Sequence, residues 1–314
     1  MNILVTGAAG FIGSHLCEKL LELGHHVTGA DSFVPYYDRS LKEANIQNAL
    51  QHPHYLFQEM DLRTGDLSKL VINCDAVFHL AAMPGLTQSW VDFESYWTCN
   101  VLATKRLLEA IKEHRPQLQR FIQASTSSVY GKFASGDESL PTRPISPYGV
   151  TKLAAEQLCG AYAEAFGIPV VVLRYFSVYG PRQRPDMGYQ RFIKALATKK
   201  PITVYGDGHQ VRGNTYVSDC VVATIAALQA PIREIYNIGG SEMVNVWDII
   251  VRLKAISGIE PEIIQVDERP GDQRHTFADC GKAARHLNWQ PRVTLEEGLS
   301  KHWQWHAKNS IVHD

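Results

Sequence analysis

The chain of 314 residues contains no Cys-x-x-Cys pair; its six cysteines, Cys17, Cys74, Cys99, Cys159, Cys220 and Cys280, are scattered. That spacing excludes a zinc cage of the usual form and argues for reduced thiols, so no metal site is expected. No stretch approaches the roughly 18 unbroken apolar residues of a membrane span, and no membrane partner is expected. The start, Met1-Asn2-Ile3-Leu4-Val5-Thr6-Gly7, lacks the basic segment, apolar core and cleavage site of a secretory signal, so a cytoplasmic address follows by default. Charge of one sign is missing as well: Lys plus Arg total 31 against 32 Asp plus Glu, a net charge of −1. Nucleic acid is therefore not an expected partner, and any anion recognition must be local. Repeats and low-complexity tracts are absent. What remains is 45% hydrophobic residues, enough for a sizeable core, in a length that suggests about two domains.

Ile3-Leu4-Val5 is a short apolar run followed by glycines at 7, 10 and 13 and a helical pattern through Leu16, Leu20 and Leu21. Strand, glycine turn and helix together give the context of a dinucleotide fingerprint. The glycines let backbone approach a pyrophosphate, and the helix N-terminus offers free N–H groups and a positive dipole end. A second strand through His26-Val27-Thr28-Gly29-Ala30 ends at Asp31, placed to accept ribose hydroxyls. Its carboxylate would repel a 2′-phosphate and no arginine follows directly, so NAD is expected. Further strands are read at Tyr55-Leu56-Phe57, Ala76–Leu80, Arg120–Ala124 and Pro169–Arg174, the last nearly continuous in β-branched and apolar residues as for a parallel strand buried on both faces. Alternation with helices predicts an α/β fold with a doubly wound parallel sheet. Gly180–Gly188, rich in glycine, proline and charge, predicts an irregular loop lining a substrate cleft. The expected organisation is a nucleotide-binding domain over 1–176 and a smaller mixed α/β domain over 177–314, with an approximate boundary and the chain free to cross back.

Ser146-Pro147-Tyr148-Gly149-Val150-Thr151-Lys152 holds the chemistry. On a helix, Tyr148 and Lys152 at i,i+4 share one face, about 5–6 Å apart at Cβ. A phenol of pKa ~10 is a poor base at neutral pH, but an ammonium alongside and a cationic nicotinamide ring favour the phenolate, which makes a proton shuttle. The cluster Ser125-Thr126-Ser127-Ser128 supplies hydroxyls upstream.

These features, with His79-Leu80-Ala81-Ala82, identify a resemblance over essentially the whole chain to the extended short-chain dehydrogenase/reductases of the NAD-dependent epimerase/dehydratase group. The glycine spacing Gly-x-x-Gly-x-x-Gly is similar to theirs. The resemblance implies a Rossmann sheet holding NAD through Gly7, Gly10, Phe11, Ile12, Gly13, Asp31, Ser32, Asp61, Leu62, Leu80, Ala81, Ala82, Tyr148, Lys152 and Tyr175, with Asp61-Leu62 at the adenine. It implies Tyr148 as the base, Lys152 on the nicotinamide ribose and depressing the tyrosine pKa, and Thr126 as the assisting hydroxyl. His79 reads as a core histidine and Asn100 as structural support of the central strands. A homodimer packed through helices around Trp90–Glu113 and Tyr148–Phe166 is also implied.

The substrate implied is a nucleotide sugar, with uridine as base. Pro84, Gly85 and Arg191 line its site, Arg212 and Arg269 with Asp272 clamp the diphosphate, and Tyr205 stacks on the base. Dehydratases of the group carry adjacent Asp and Glu before their Tyr-Gly turn, because eliminating water needs an acid and a base. Here Ser127 and Ser128 stand in those places, and the glutamate of the related decarboxylases is absent, which leaves an epimerase. The run Arg174–Met187 resembles epimerases of UDP-glucuronate more than those of UDP-galactose, which have asparagine at the place of Ser177. Ser127, Ser128, Ser177 and Arg184 are thus expected to hold a C6 carboxylate. Departures from the family are Thr87, where many relatives have arginine, and Gly213, where aspartate is usual. A UDP-glucuronate decarboxylase and a neutral UDP-glucose/UDP-galactose 4-epimerase remain as alternatives, and an NAD-binding sensor as a reading from another class.

Overall fold

The computed structural model describes residues 1–268 and 271–310. β1 (Asn2–Thr6) runs through the glycine turn into α1 (Phe11–Glu22), followed by β2 (His26–Asp31), α2 (Arg39–Leu50), β3 (Tyr55–Glu59), the short α3 (Ser68–Val71) and β4 (Ala76–His79). α4 (Phe93–Trp97) continues through a π turn at Thr98–Leu102 into α5 (Ala103–His114), and then come β5 (Arg120–Thr126), β6 (Phe133–Gly136), α6 (Pro147–Phe166) and β7 (Val170–Tyr175). Elements then shorten. They are β8 (Val178–Tyr179), α7 (Gly188–Ala197), β9 (Ile202–Tyr205), β10 (Val211–Gly213), β11 (Thr215–Tyr216), α8 (Val217–Ala226), β12 (Glu234–Ile238), β13 (Met243–Val244), α9 (Val246–Ser257), β14 (Ile263–Val266), β15 (His275–Ala278), α10 (Gly281–Leu287) and α11 (Leu295–Ser310).

Seven strands form one parallel sheet in the order β12-β7-β5-β4-β1-β2-β3. β4 and β7 are buried along their whole length, as their apolar sequences predict. Each Val or Leu fully buried there contributes about 1.5–3 kcal/mol. β1 lies between β2 and β4, so the winding direction reverses at β1, and the crevice beyond the carboxyl ends of β1 and β4 is the place where such a sheet takes a ligand. The cut near residue 176 is crossed once in each direction: β12 returns to the edge of the large sheet beside β7, while β6 joins the four-stranded mixed sheet β13-β10-β15-β6.

The helix that carries Tyr148 is specified locally at both ends. Ser146 accepts a hydrogen bond from the Gly149 N–H at 3.1 Å, Pro147 opens the first turn, and Gly167 ends the helix in the left-handed region at φ +70°. Among the described residues no helix is long and apolar enough to cross a membrane, and no group of three or more His, Cys, Asp or Glu side chains is arranged to hold a metal ion.

Candidate active site

One cleft follows the switch point of the sheet. It is lined by Gly7, Gly10, Phe11, Ile12 and Gly13 from the turn into α1, by Asp31 and Ser32 after β2, by Asp61 and Leu62, by Leu80, Ala81 and Ala82 after β4, and by Tyr148, Lys152 and Tyr175. The sequence-predicted cofactor residues therefore lie along a single surface. Gly13 shows why the turn is glycine: a Cβ there would stand 2.1 Å from the Gly7 carbonyl oxygen. Gly10, the residue before α1, offers no side-chain cap, so the first N–H groups of the helix face the cleft without a competing side-chain acceptor. This cradle fits a dinucleotide pyrophosphate.

Asp31 accepts the Phe33 N–H at 2.9 Å and the Ala9 N–H at 3.2 Å. Burial raises its pKa, against the pull of Lys42 and the backbone donors. Lys42, itself lowered by burial and supported by Asp31, donates to the Val34 carbonyl at 2.8 Å and lies 4.9 Å from the Tyr37 ring centroid. A cation beside the Asp31 carboxylate is a feature the sequence did not announce, since Lys42 lies eleven residues beyond Asp31 on a helix with no motif. Asp61 is gripped by Arg63, whose Nη2 donates at 2.7 Å. Tyr36, Tyr37, Arg63 and Cys99 also line the cleft and were not predicted.

His79 is buried, bridged by Thr6 at 2.7 Å and Thr104 at 3.0 Å, and burial with the nearby Lys152 charge pushes its pKa down to about 3. It is a neutral core residue. Asn100, in the π turn, accepts from the Met83 N–H at 2.6 Å and donates to the Met83 carbonyl at 3.1 Å and the Thr151 hydroxyl at 3.0 Å. It thereby fixes the loop after β4 to α6, next to Tyr148.

At the reacting end Tyr148 is half-buried. Burial raises its pKa, while the neighbouring Thr126 hydroxyl and the charge of Arg184 pull it down. Lys152, one turn along α6, donates to the Ala124 carbonyl at 2.7 Å. Burial lowers the Lys152 pKa to about 8, against the carboxylate of Glu156. Glu156 closes a buried fork with Arg174 at 3.1 and 2.7 Å and accepts the Ser125 hydroxyl. Thr126 donates to Ser128 at 3.2 Å, and Ser127 donates to Gln273 at 3.3 Å.

Of the predicted substrate residues, Pro84 and Arg184 line the same cleft, and Gly85 adjoins it through Tyr36. Ser127 and Ser128 are buried in the short 3-10 turn that ends β5, and Ser177 lies half-buried between β7 and β8. Arg191 donates to the Tyr205 hydroxyl at 3.2 Å and lies 5.2 Å from that ring's centroid. Arg212, lowered by burial and supported by Asp272, donates to the Val211 carbonyl at 3.0 Å. Arg269 lies outside the described residues. Arg182 holds the loop that carries Arg184 against α1, through Glu18 at 2.7 Å and Ser14 at 3.3 Å, and the Pro181 carbonyl meets His15 at 2.9 Å.

Residues 3–239 match the family model described as NAD dependent epimerase/dehydratase family. The chain is 47% identical over 305 residues to a Bacillus subtilis protein named as an uncharacterized UDP-glucose epimerase, covering 96% of each. It is 36% identical over 312 residues to the UDP-glucuronate 4-epimerase of Thermodesulfobacterium geofontis, covering 98% of this chain and 96% of that one. Its fold matches the crystal structure of UDP-glucuronic acid 4-epimerase from Bacillus cereus in complex with UDP-glucuronic acid and NAD, with a TM-score of 0.96 at 46% identity over 98% of this chain and all of the other.

Proposed function

The chain belongs to the NAD-dependent epimerase/dehydratase family, and from that premise we propose that it inverts C4 of UDP-glucuronate to give UDP-galacturonate. The observation that carries the reading is the reacting end of the cleft. Tyr148 meets Thr126 and feels Arg184 there, while the neighbouring positions hold Ser127 and Ser128 rather than acid–base carboxylates. Such a set moves one hydroxyl proton and has no side chain equipped for elimination.

The residues that would hold NAD are those of the cradle, with Asp31 at the adenosine ribose and Lys152 at the nicotinamide ribose. Bound NAD supplies hydride acceptance from C4 and its return to the opposite face. Tyr148 takes the proton of the C4 hydroxyl as the transient 4-keto sugar forms, and gives it back when the inverted alcohol forms. Thr126 donates to the phenolate oxygen and Arg184 stabilises its charge. Because oxidation and reduction cancel, NAD stays bound through turnover.

Arg212, with Asp272 supporting its charge, serves the diphosphate, Arg191 lines the substrate site, and Tyr205 serves the uracil face. Ser127, Ser128, Ser177 and Arg184 hold the C6 carboxylate. Oxidation at C4 makes the C6 acid a β-keto acid, so a fixed carboxylate also keeps the scissile bond out of line with the keto π-system. A homodimer belongs to the reading: Trp97 (48% exposed), Leu102 (38%) and Val150 (47%) on and beside α4 and α6 support it, and light scattering tests it. The cytoplasmic address is part of the same reading. The name of the Bacillus subtilis relative favours a second substrate, a neutral UDP-hexose.

Purified protein incubated with UDP-glucuronate in deuterated buffer, with no NAD added, decides among these. UDP-galacturonate without deuterium at C5 is expected in the NMR spectrum. A UDP-pentose would make the protein a decarboxylase, and turnover of UDP-glucose alone would give the neutral reading.

A further inference from the structure

Three segments meet on one hydroxyl beside the cleft. The Tyr36 hydroxyl donates to Asp186 Oδ2 at 3.1 Å. Gly85 comes so close that a Cβ there would stand 2.2 Å from the same oxygen. Tyr96, whose hydroxyl donates to the Pro84 carbonyl, stands beside the Tyr36 hydroxyl and packs edge-on against Tyr148 with ring centroids 6.2 Å apart. The loop after β2, the loop after β4 and the loop before α7 are thus registered against one another at Tyr36.

What Tyr36 holds is Asp186, and what Asp186 holds is Arg184. Its carboxylate takes Arg184 Nε at 3.0 Å and Nη2 at 2.9 Å, a two-pronged fork. Arg184 lines the cleft with Tyr36 and Tyr148, whereas Asp186 does not line it. A guanidinium has five N–H donors, and the edge formed by Nε and Nη2 is one of those that match a carboxylate in bidentate fashion. That edge is already taken by the protein itself.

We propose that Asp186, oriented by Tyr36, is a specificity-determining positioning residue that occupies the bidentate edge of Arg184, leaving only the remaining N–H donors for a carboxylate on the substrate. This rests on the acid-sugar reading above. A 4-keto sugar that turns over in its pocket must carry its C6 carboxylate from one position to another. Binding energy spent on a tight fork in the first position deepens the ground state without helping the step that follows. Asp186 keeps the grip on the acid loose enough to break, and a neutral sugar, with a hydroxymethyl group at C6, does not feel the difference.

The test compares wild-type holoenzyme, with the NAD it retains, with Asp186→Asn, which keeps the shape and one acceptor but removes the charge. Calorimetric Kd values are measured for UDP-glucuronate and UDP-glucose, together with kcat and KM. Freed from its internal competitor, Arg184 should tighten UDP-glucuronate binding by about tenfold, the scale of one charge-assisted interaction, while UDP-glucose changes by less than about twofold. KM and kcat for the acid sugar should fall together. Tyr36→Phe, which frees the carboxylate without removing it, should shift the acid-to-neutral affinity ratio in the same direction by less, and Asp186→Glu should restore wild-type behaviour. Equal shifts for both sugars, or weaker binding of UDP-glucuronate by Asp186→Asn, would overturn the proposal. If Asp186→Asn purifies without NAD, an unchanged ratio in Tyr36→Phe overturns it. Binding is read apart from turnover, so a wild-type enzyme that converts only UDP-glucose sinks the acid-sugar reading, while the affinity ratio still judges Asp186. Failure of every form to bind UDP-glucuronate overturns both.

Discussion

Glu156→Gln should cost this enzyme about 3–5 kcal/mol of stability, the usual consequence of leaving a buried charge without its partner. The Arg174 and Glu156 side chains are 5% and 2% exposed, so water cannot take over the solvation of Arg174 when the carboxylate is gone. Two of the guanidinium donors lose an anionic acceptor; the third, to the Tyr130 hydroxyl at 2.8 Å, remains. Glutamine keeps the volume but turns an amide –NH₂ toward groups that are themselves donors, the guanidinium and the Ser125 hydroxyl. At roughly 2 °C per kcal/mol for a chain of this size, Tm should fall by about 6–10 °C. Calorimetry at pH 7 with NAD saturating measures this without confounding by lost cofactor. The same carboxylate raises the Lys152 pKa against burial, so in the variant that pKa drops below about 8 and any activity limb due to Lys152 moves to lower pH. A fall in Tm of less than about 2 °C would refute the reasoning, because it would make the fork no stronger than an exposed pair.

Gly13→Ala places a methyl 2.1 Å from the Gly7 carbonyl oxygen, so the variant should purify with little or no NAD, read from its absorbance and by mass spectrometry. Tyr148→Phe should retain NAD and bind substrate normally while kcat falls by about 10²–10⁴, the range for losing a positioned acid–base group. For Lys152 the sign follows from a folded pKa of about 8 against 10.5 as the ordinary value. Between those two values the unfolded chain binds the proton that the folded chain has released, so stability rises with pH. Relative to Lys152→Met, the wild type should gain up to about 3 kcal/mol on going from pH 8 to 10.5 in urea titrations.

Six of the seven strands of the large sheet were legible in the sequence as short runs rich in apolar or β-branched residues, and Ile3-Leu4-Val5 and Val170-Val171-Val172-Leu173 are instances. Much of the cleft lining was legible for a related reason: many of its residues are small ones at fixed distances from those strands. The return of Glu234–Ile238 to the sheet edge and the departure of Phe133–Gly136 to the small sheet carry no local signal, since strand order is decided by long-range pairing. Lys42 and Asp186 escaped for the same physical reason. Their roles exist only where a helix face and an irregular loop meet Asp31 and Arg184, and neither spacing repeats any pattern. The i,i+4 spacing fixes which face Lys152 occupies but not where its ammonium ends, and its donation to the Ala124 carbonyl depends on the neighbouring strand β5.

The central claim is inversion at C4 with the hydrogen retained. UDP-glucuronate carrying deuterium at C4, incubated with the purified protein and no added NAD, tests it most directly by NMR and mass spectrometry of the product. The account predicts UDP-galacturonate with the deuterium still at C4. Loss of the label to solvent, or its appearance in a UDP-pentose, would contradict it.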